Sequence, residues 1–215
     1  MTLETLLTFS GSSLLLILSP GPDNQAVLAY GLSHGKRVAI AFGIGCGLGC
    51  LFHTTLASLG VSALLAANEQ ALQLIQTVGG LYLIYLGMQI GIAQIRPTPA
   101  ISKPASQRET PSAESRLSVV TYFRQGLLAN VLNPKVSLFF LSYLPGFVEH
   151  KQQAAVELLL LGSLFTLLAC MCFGMLGLFA GQLGEQFAQS TRFQQLMQWV
   201  TACVLAGLGL LLLLH

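Results

Sequence analysis

The chain has 215 residues, of which 53% are hydrophobic and 8% charged, with a net charge of +2 and a mean hydropathy of +0.71. Soluble domains carry about 25% Asp, Glu, Lys and Arg, so this composition cannot cover a water-facing surface. The few basic residues form no stripe with aromatic neighbours, which argues against nucleic acid as a partner.

The expected fold is an all-α polytopic membrane protein with the lipid bilayer as its solvent. At about 20 apolar residues per spanning helix, the chain holds six passes and short connections. Met1-Thr2-Leu3-Glu4 lacks the positive start of a cleaved secretory signal, so the first apolar segment is expected to be retained. That segment runs from about 3 to 34. As one straight helix it would be about 48 Å long, well beyond the roughly 30 Å hydrocarbon layer. Pro20, Gly21 and Pro22 supply the break, because two prolines remove backbone donors and the glycine frees the chain direction.

The second span covers about 38–66 and contains no Asp, Glu, Lys or Arg. Its glycines at 43, 45, 47 and 49 make small-xxx-small pairs that allow close helix packing. They fit packing within the protomer or against a second copy, so a homodimer is left open. The third span covers about 71–95. Residues 96–116 change abruptly to Pro, Ser, Thr, Lys, Arg and Glu and read as a flexible cytoplasmic linker. The fourth span, about 117–147, is again overlong and is interrupted at Asn133, Pro134 and Lys135. Spans at about 156–183 and 193–214 complete the chain.

Pro20 and Pro134 are offset by 114 residues, and the same offset places Lys36-Arg37 over His150-Lys151. Residues 1–95 and 117–215 therefore read as two three-helix repeats, each with a broken first helix. An odd number of helices per repeat inserts the second half upside down, the plan of many secondary transporters with a midplane site. Lys36, Arg37, Arg96, Lys103, Arg108, Arg116, Arg124 and Arg192 fall on one side. The positive-inside rule makes that side cytoplasmic and both termini external.

Two ionisable residues, Asp23 and Lys135, fall deep within expected spans, each just after a break. Charge at that depth is costly and faces a partner or a watery cavity. The pair reads either as an ion pair clamping the halves together or as the lining of a translocation site. A small zwitterionic solute needs a carboxylate for its ammonium and a cation or free helix amides for its own carboxylate. Asn24, Asn130 and Asn133 flank the breaks and suit either backbone groups freed by proline or a solute. His53 reads as a proton relay or as a packing residue. Tyr82 and Tyr85 fit interfacial anchoring.

Cys46, Cys50 and His53 share a helix face, which permits a metal-site reading, but small packing residues fit better; no metal and no cofactor are expected. No Gly-x-Ser-x-Gly, His-Glu-x-x-His or Walker A motif occurs, so an intramembrane enzyme or an ATP-driven pump is disfavoured. A channel would fit the helix count, but paired broken helices with opposite charges favour alternating access.

Ser19-Pro20-Gly21-Pro22-Asp23, His34-Gly35-Lys36-Arg37, the glycine-rich run 43–49 with His53, and Gly80-Leu81-Tyr82-Leu83-Ile84-Tyr85-Leu86-Gly87 together resemble the lysine and homoserine/threonine exporter (LysE/RhtB) family. The likeness is densest from Phe123 to Lys135, followed by Phe139-Phe140 and Leu144-Pro145-Gly146-Phe147. The resemblance implies an inner-membrane exporter of amino acids or close derivatives, exchanging solute outward for a proton inward. It places the family's Pro-Gly-Pro element on Pro20, Gly21 and Pro22, and its Asn-Pro-Lys element on Asn133, Pro134 and Lys135. One departure is Cys50, near which some relatives carry an acidic residue, so solute charge and coupling are left open.

Overall fold

In a computed structural model, residues 1–67, 69–95, 118–182 and 191–214 are described. The 96–116 linker, the turn residue Asn68 and most of the polar connection before Arg192 lie outside them. The described residues are helical, with no strand among them. Helix α1 (Leu3–Leu18) starts at Thr2, whose Oγ1 accepts from the Thr5 amide at 3.2 Å. It stops at Ser19-Pro20, and α2 (Pro22–His34) restarts with proline in its first position, where the missing N–H costs nothing. Gly35, at φ +83°, reverses the chain into α3 (Lys36–Leu56); only glycine takes that backbone without strain. A π-helical turn (Ala57–Val61) leads into α4 (Ser62–Ala67), and α5 (Glu69–Ile95) follows.

Helix α6 (Val119–Val131) is capped by Ser118. After Leu132-Asn133, α7 (Pro134–Leu138) continues through a π-helical turn (Phe139–Tyr143) and a 3₁₀ turn (Leu144–Phe147). Helices α8 (Ala154–Leu178) and α9 (Thr191–Leu214) complete the chain. Four stretches are long and apolar enough to cross a membrane: Lys36–Leu64, Gln73–Gln94, Lys151–Leu178 and Gln194–Leu214. Two further pairs qualify when joined, Leu3–Leu18 with Pro22–His34 bent by 53° and Val119–Val131 with Pro134–Phe147 bent by 48°. The count is six if each bent pair is one span. Large apolar side chains such as Leu18, Leu132 and Leu214 cover the outside, as a lipid-facing surface requires.

The alternating glycines of α3 set its neighbours. Steps of two residues turn a helix by about 200° and steps of four return to one face, so Gly43 and Gly47 face opposite to Gly45 and Gly49. A Cβ at Gly43 or Gly47 would strike Phe173 or Cys170 of α8; one at Gly45 or Gly49 would strike Phe123 or Asn130 of α6. Both glycine faces are thus used within the protomer. Gly126 returns the contact, lying against the Phe42 carbonyl. A second close pair joins α5 to α9 through Gly80 and Gly209.

Aromatic side chains pack on both sides of the helix breaks. Phe9 of α1 stacks with Phe139 and Phe147, and Phe139 and Phe140 both meet Phe165 of α8. Seven residues past Asp23 along α2, Tyr30 meets Phe42, Tyr122 and His34.

Candidate functional site

The two helix breaks meet. A proline-interrupted helix leaves carbonyls without their usual i+4 donors, and the groups that satisfy them come from neighbouring side chains. Asn24, in the first turn of α2, folds its amide back onto the carbonyls of Ile17 at 3.0 Å and Ser19 at 3.1 Å, with a longer contact to Leu18 at 3.5 Å. The Pro20 carbonyl accepts from Thr201 Oγ1 of α9 at 3.0 Å, sharing that one proton with the Met197 carbonyl at 3.0 Å. The Ser19 carbonyl also accepts from Lys135 Nζ at 2.8 Å. The flexible stem of Lys135 passes close to Gly21.

Across the break, the Asp23 carboxylate is buried, and its Oδ2 accepts from Asn130 Nδ2 at 2.9 Å. Asn130 is fully buried and bonds through every polar part of its side chain and through its carbonyl. Its Oδ1 accepts a long contact from Cys50 Sγ at 3.5 Å. Its carbonyl accepts from His53 Nε2 at 3.1 Å and from the Asn133 amide at 2.9 Å. A carbonyl only accepts, so that bond puts a proton on His53 Nε2. Asn133 caps α7, its Oδ1 accepting from the Lys135 amide at 3.0 Å.

Among the described residues no ion pair joins Asp23 to Lys135 within 4.0 Å. Each charge instead reaches into the other half of the chain, Asp23 to Asn130 and Lys135 to the Ser19 carbonyl. Both line one cavity of about 20 Å³, together with Ser19, Asn24, Asn130 and Asn133. That is the space of a single water. Its apolar wall includes Leu16, Phe165 and Phe173. Among the described residues the buried Ser19 hydroxyl has no hydrogen-bond partner, and Ser19 is one of the residues lining the cavity.

Of the residues singled out in the sequence, Asp23, Asn24, Asn130, Asn133, Lys135 and Gly21 border this cavity. His53 stands behind Asn130, while Pro20, Pro22 and Pro134 shape the breaks. Sequence reasoning missed the roles of Ser19, Cys50, Thr201 and Phe165. Ser19 adjoins the break and was within reach of a local argument. Thr201 lies 181 residues from its acceptor and carries no local signal. Cys50 Sγ also contacts the Cys46 carbonyl at 3.8 Å, and among the described residues no group of three or more His, Cys, Asp and Glu is placed to hold a metal.

Comparison with known proteins adds the following. The family model described as "LysE type translocator" matches residues 14–215. An uncharacterised membrane protein of Bacillus subtilis is 27% identical over 208 residues, covering 97% of this chain and 98% of that protein. A homoserine/homoserine lactone efflux protein of Salmonella typhimurium is 29% identical over 162 residues, 75% of this chain and 73% of that protein. A leucine efflux protein of Klebsiella pneumoniae is 26% identical over 143 residues, 66% and 63% respectively. No solved structure matches the chain.

Proposed function

Because this chain belongs to the LysE type translocator family, we propose that it exports an amino acid or a close derivative across the cytoplasmic membrane in exchange for a proton. Members of the family are translocators and not enzymes. The efflux activities named for the Salmonella and Klebsiella relatives support a solute of this class.

The observation that carries the reading is the cavity where the two broken helices meet. It is lined by the buried carboxylate of Asp23, the half-buried Lys135 and, without a partner among the described residues, the Ser19 hydroxyl. In this proposal the solute's ammonium takes the place of Asn130 or joins it on Asp23, while its carboxylate draws Lys135 Nζ off the Ser19 carbonyl. The α2 amides behind Pro22 lend a partial positive charge to the same carboxylate. Asp23 can neutralise its charge with a solute ammonium or with a proton, but not with both. In this proposal the proton and the solute ammonium compete for Asp23, which couples their movements in opposite directions. His53, joined to Asn130, then supports the geometry of the Asp23 partner.

The cavity has room for only about one water in this conformation, so loading requires the half-helices to part. We propose that residues 1–95 and 117–215 move as inverted repeats, with the aromatic clusters around Tyr30 and around Phe139 closing opposite sides in turn. The Lys and Arg distribution supports external termini and a cytoplasmic 96–116 segment.

The test is efflux from cells loaded with labelled amino acids, with and without a protonophore. The proposal expects efflux above the empty-vector level that collapses when the proton gradient is removed. Asp23→Asn should abolish gradient-driven efflux. Efflux equal to the empty vector for every amino acid and derivative would end this reading.

A further inference from the structure

Three ends of candidate spans meet at one point of the surface. His34 closes the bent pair that begins at Leu3, Lys36 opens the next span, and Val119 opens the bent pair that ends at Phe147. Between them lies a groove of about 470 Å³, whose wall includes Ser33, His34, Arg37, Ser118, Val119 and Tyr122. Among the described residues no Asp or Glu lines it. We propose that this groove binds the phosphate of an anionic phospholipid headgroup.

Tyr122 points to a ligand. Only 5% of this residue is exposed, yet it lines the groove, and among the described residues its hydroxyl has no hydrogen-bond partner. The neighbouring Tyr30 hydroxyl is engaged elsewhere, with Gln125 Oε1 at 3.4 Å. The Tyr122 ring is held by Tyr30 and His34, each with its centroid 5.2 Å away. His34 is fixed in turn. Ser33 Oγ donates its one proton to the Ala29 carbonyl at 2.7 Å, so it accepts from His34 Nδ1 at 2.7 Å. A polar group enclosed this far takes a partner in most folded proteins, and an anionic oxygen in the groove gives the Tyr122 hydroxyl an acceptor.

Charge gives the ligand its sign. The first-turn amides of α3, at 36–38, have no intrahelical acceptor, and no side chain caps them. Helix α6 starts on the same groove through Ser118 and Val119, so two helix N-termini lend it partial positive charge. The carbonyl end of α2 offsets one of them. The Arg37 guanidinium decides the balance, being exposed and paired with no carboxylate among the described residues.

The surroundings give the source. Leu32, Val119 and Val120, in and beside the groove, are exposed by 44%, 49% and 57% at the level where the spans end. Their carbons suit the first methylenes of acyl chains and do nothing for a free anion. A wall without a carboxylate also offers nothing to the ammonium of a choline or ethanolamine headgroup. On the orientation proposed above this face is cytoplasmic, where basic pockets between helices take anionic headgroups. A headgroup held there ties the Gly35 turn to the start of α6, beside the aromatic cluster around Tyr30.

The experiment titrates the full chain in detergent with short-chain phosphatidylglycerol, short-chain phosphatidylcholine and inorganic phosphate, and reads the rise in unfolding temperature with concentration. Phosphatidylglycerol should half-saturate at a concentration at least about fivefold below that of either competitor. Arg37→Gln should remove that advantage. Tyr122→Phe should weaken phosphatidylglycerol binding at least about threefold. Arg124→Gln, which neutralises an exposed basic residue of α6 outside the groove, should leave it unchanged.

Phosphatidylcholine or inorganic phosphate binding as tightly as phosphatidylglycerol overturns the proposal, the second result making this a free-anion site. Equal losses in Arg37→Gln and Arg124→Gln, or no loss in Tyr122→Phe, also overturn it and reduce the effect to diffuse attraction by the basic face. The readout requires no transport, so each of these results leaves the exporter reading standing.

Discussion

Replacing Gly126 by alanine sets two opposing effects against each other at one point of the fold. Alanine is the better helix former by about 0.8–1.0 kcal/mol, so propensity alone makes Gly126→Ala stabilising. The structure makes it destabilising. A Cβ at Gly126 would stand 2.0 Å from the Phe42 carbonyl oxygen, and one at Gly45 would stand 2.1 Å from that of Phe123. Ordinary contact begins at 3.4 Å, and a helical carbonyl cannot swing aside as a flexible side chain can. The α3 and α6 axes must therefore separate, which also stretches the 3.1 Å bond from His53 to Asn130. Overpacking of this kind costs about 1–3 kcal/mol, occasionally more, and outweighs the propensity gain.

Thermal unfolding in detergent should rank Gly126→Ala and Gly45→Ala below wild type. The double variant should cost less than the sum, because one separation of the helices relieves both clashes. Gly11 and Gly207 are the controls: nothing lies within 4 Å of a Cβ at either, so alanine there should be neutral or stabilise by up to about 1 kcal/mol. If Gly126→Ala is as stable as Gly207→Ala, the close α3–α6 contact is refuted, and with it the placement of Asn130 against His53.

Further outcomes follow from the bonds at the breaks. Asn130→Leu removes the neutral donor to a buried carboxylate and should cost about 1.5–3 kcal/mol in thermal stability. Asn130→Asp should cost more, since it sets a second carboxylate where the 2.9 Å donor stood; equal losses would show that Asp23 is not turned towards residue 130. Thr201→Val should cost about 1–3 kcal/mol by leaving the Pro20 carbonyl without its side-chain donor, while Thr201→Ser keeps the bond and should match wild type by the same measurement. Outside the spans, the Thr5 hydroxyl and the Thr2 amide hold the Glu149 carboxyl well below its ordinary value of 4.5, to about 2. A depressed carboxyl stabilises the fold above its unfolded value and loses that contribution as pH falls towards the folded value. The melting difference between wild type and Glu149→Gln should thus be constant above about pH 5 and shrink as pH falls from 4.5 towards 2; a difference that grows on acidification would contradict the clasp.

The sequence by itself determined the membrane class and the two helix breaks. Those features depend on local chemistry: apolar run length and the missing N–H of Pro22 and Pro134. The small-xxx-small glycines also marked α3 for close packing, within the protomer or against a second copy, and the structure fills both of its glycine faces from within the protomer. Which helices fill those faces was settled only by tertiary structure, since glycine spacing does not encode the identity of its neighbour.

The same division runs through the site. Asp23 and Lys135 were legible as buried charges at matching breaks, and their opposite signs suggested a direct pair as one reading. The folded chain instead turns Lys135 to the Ser19 carbonyl and Asp23 to Asn130. The sequence shows charged side chains plainly but hides the backbone acceptors that a proline break exposes. Thr201 and the wall of the groove around Tyr122 belong to the same hidden class, because residues from α2, α3, α6 and α9 meet their partners only when the helices pack.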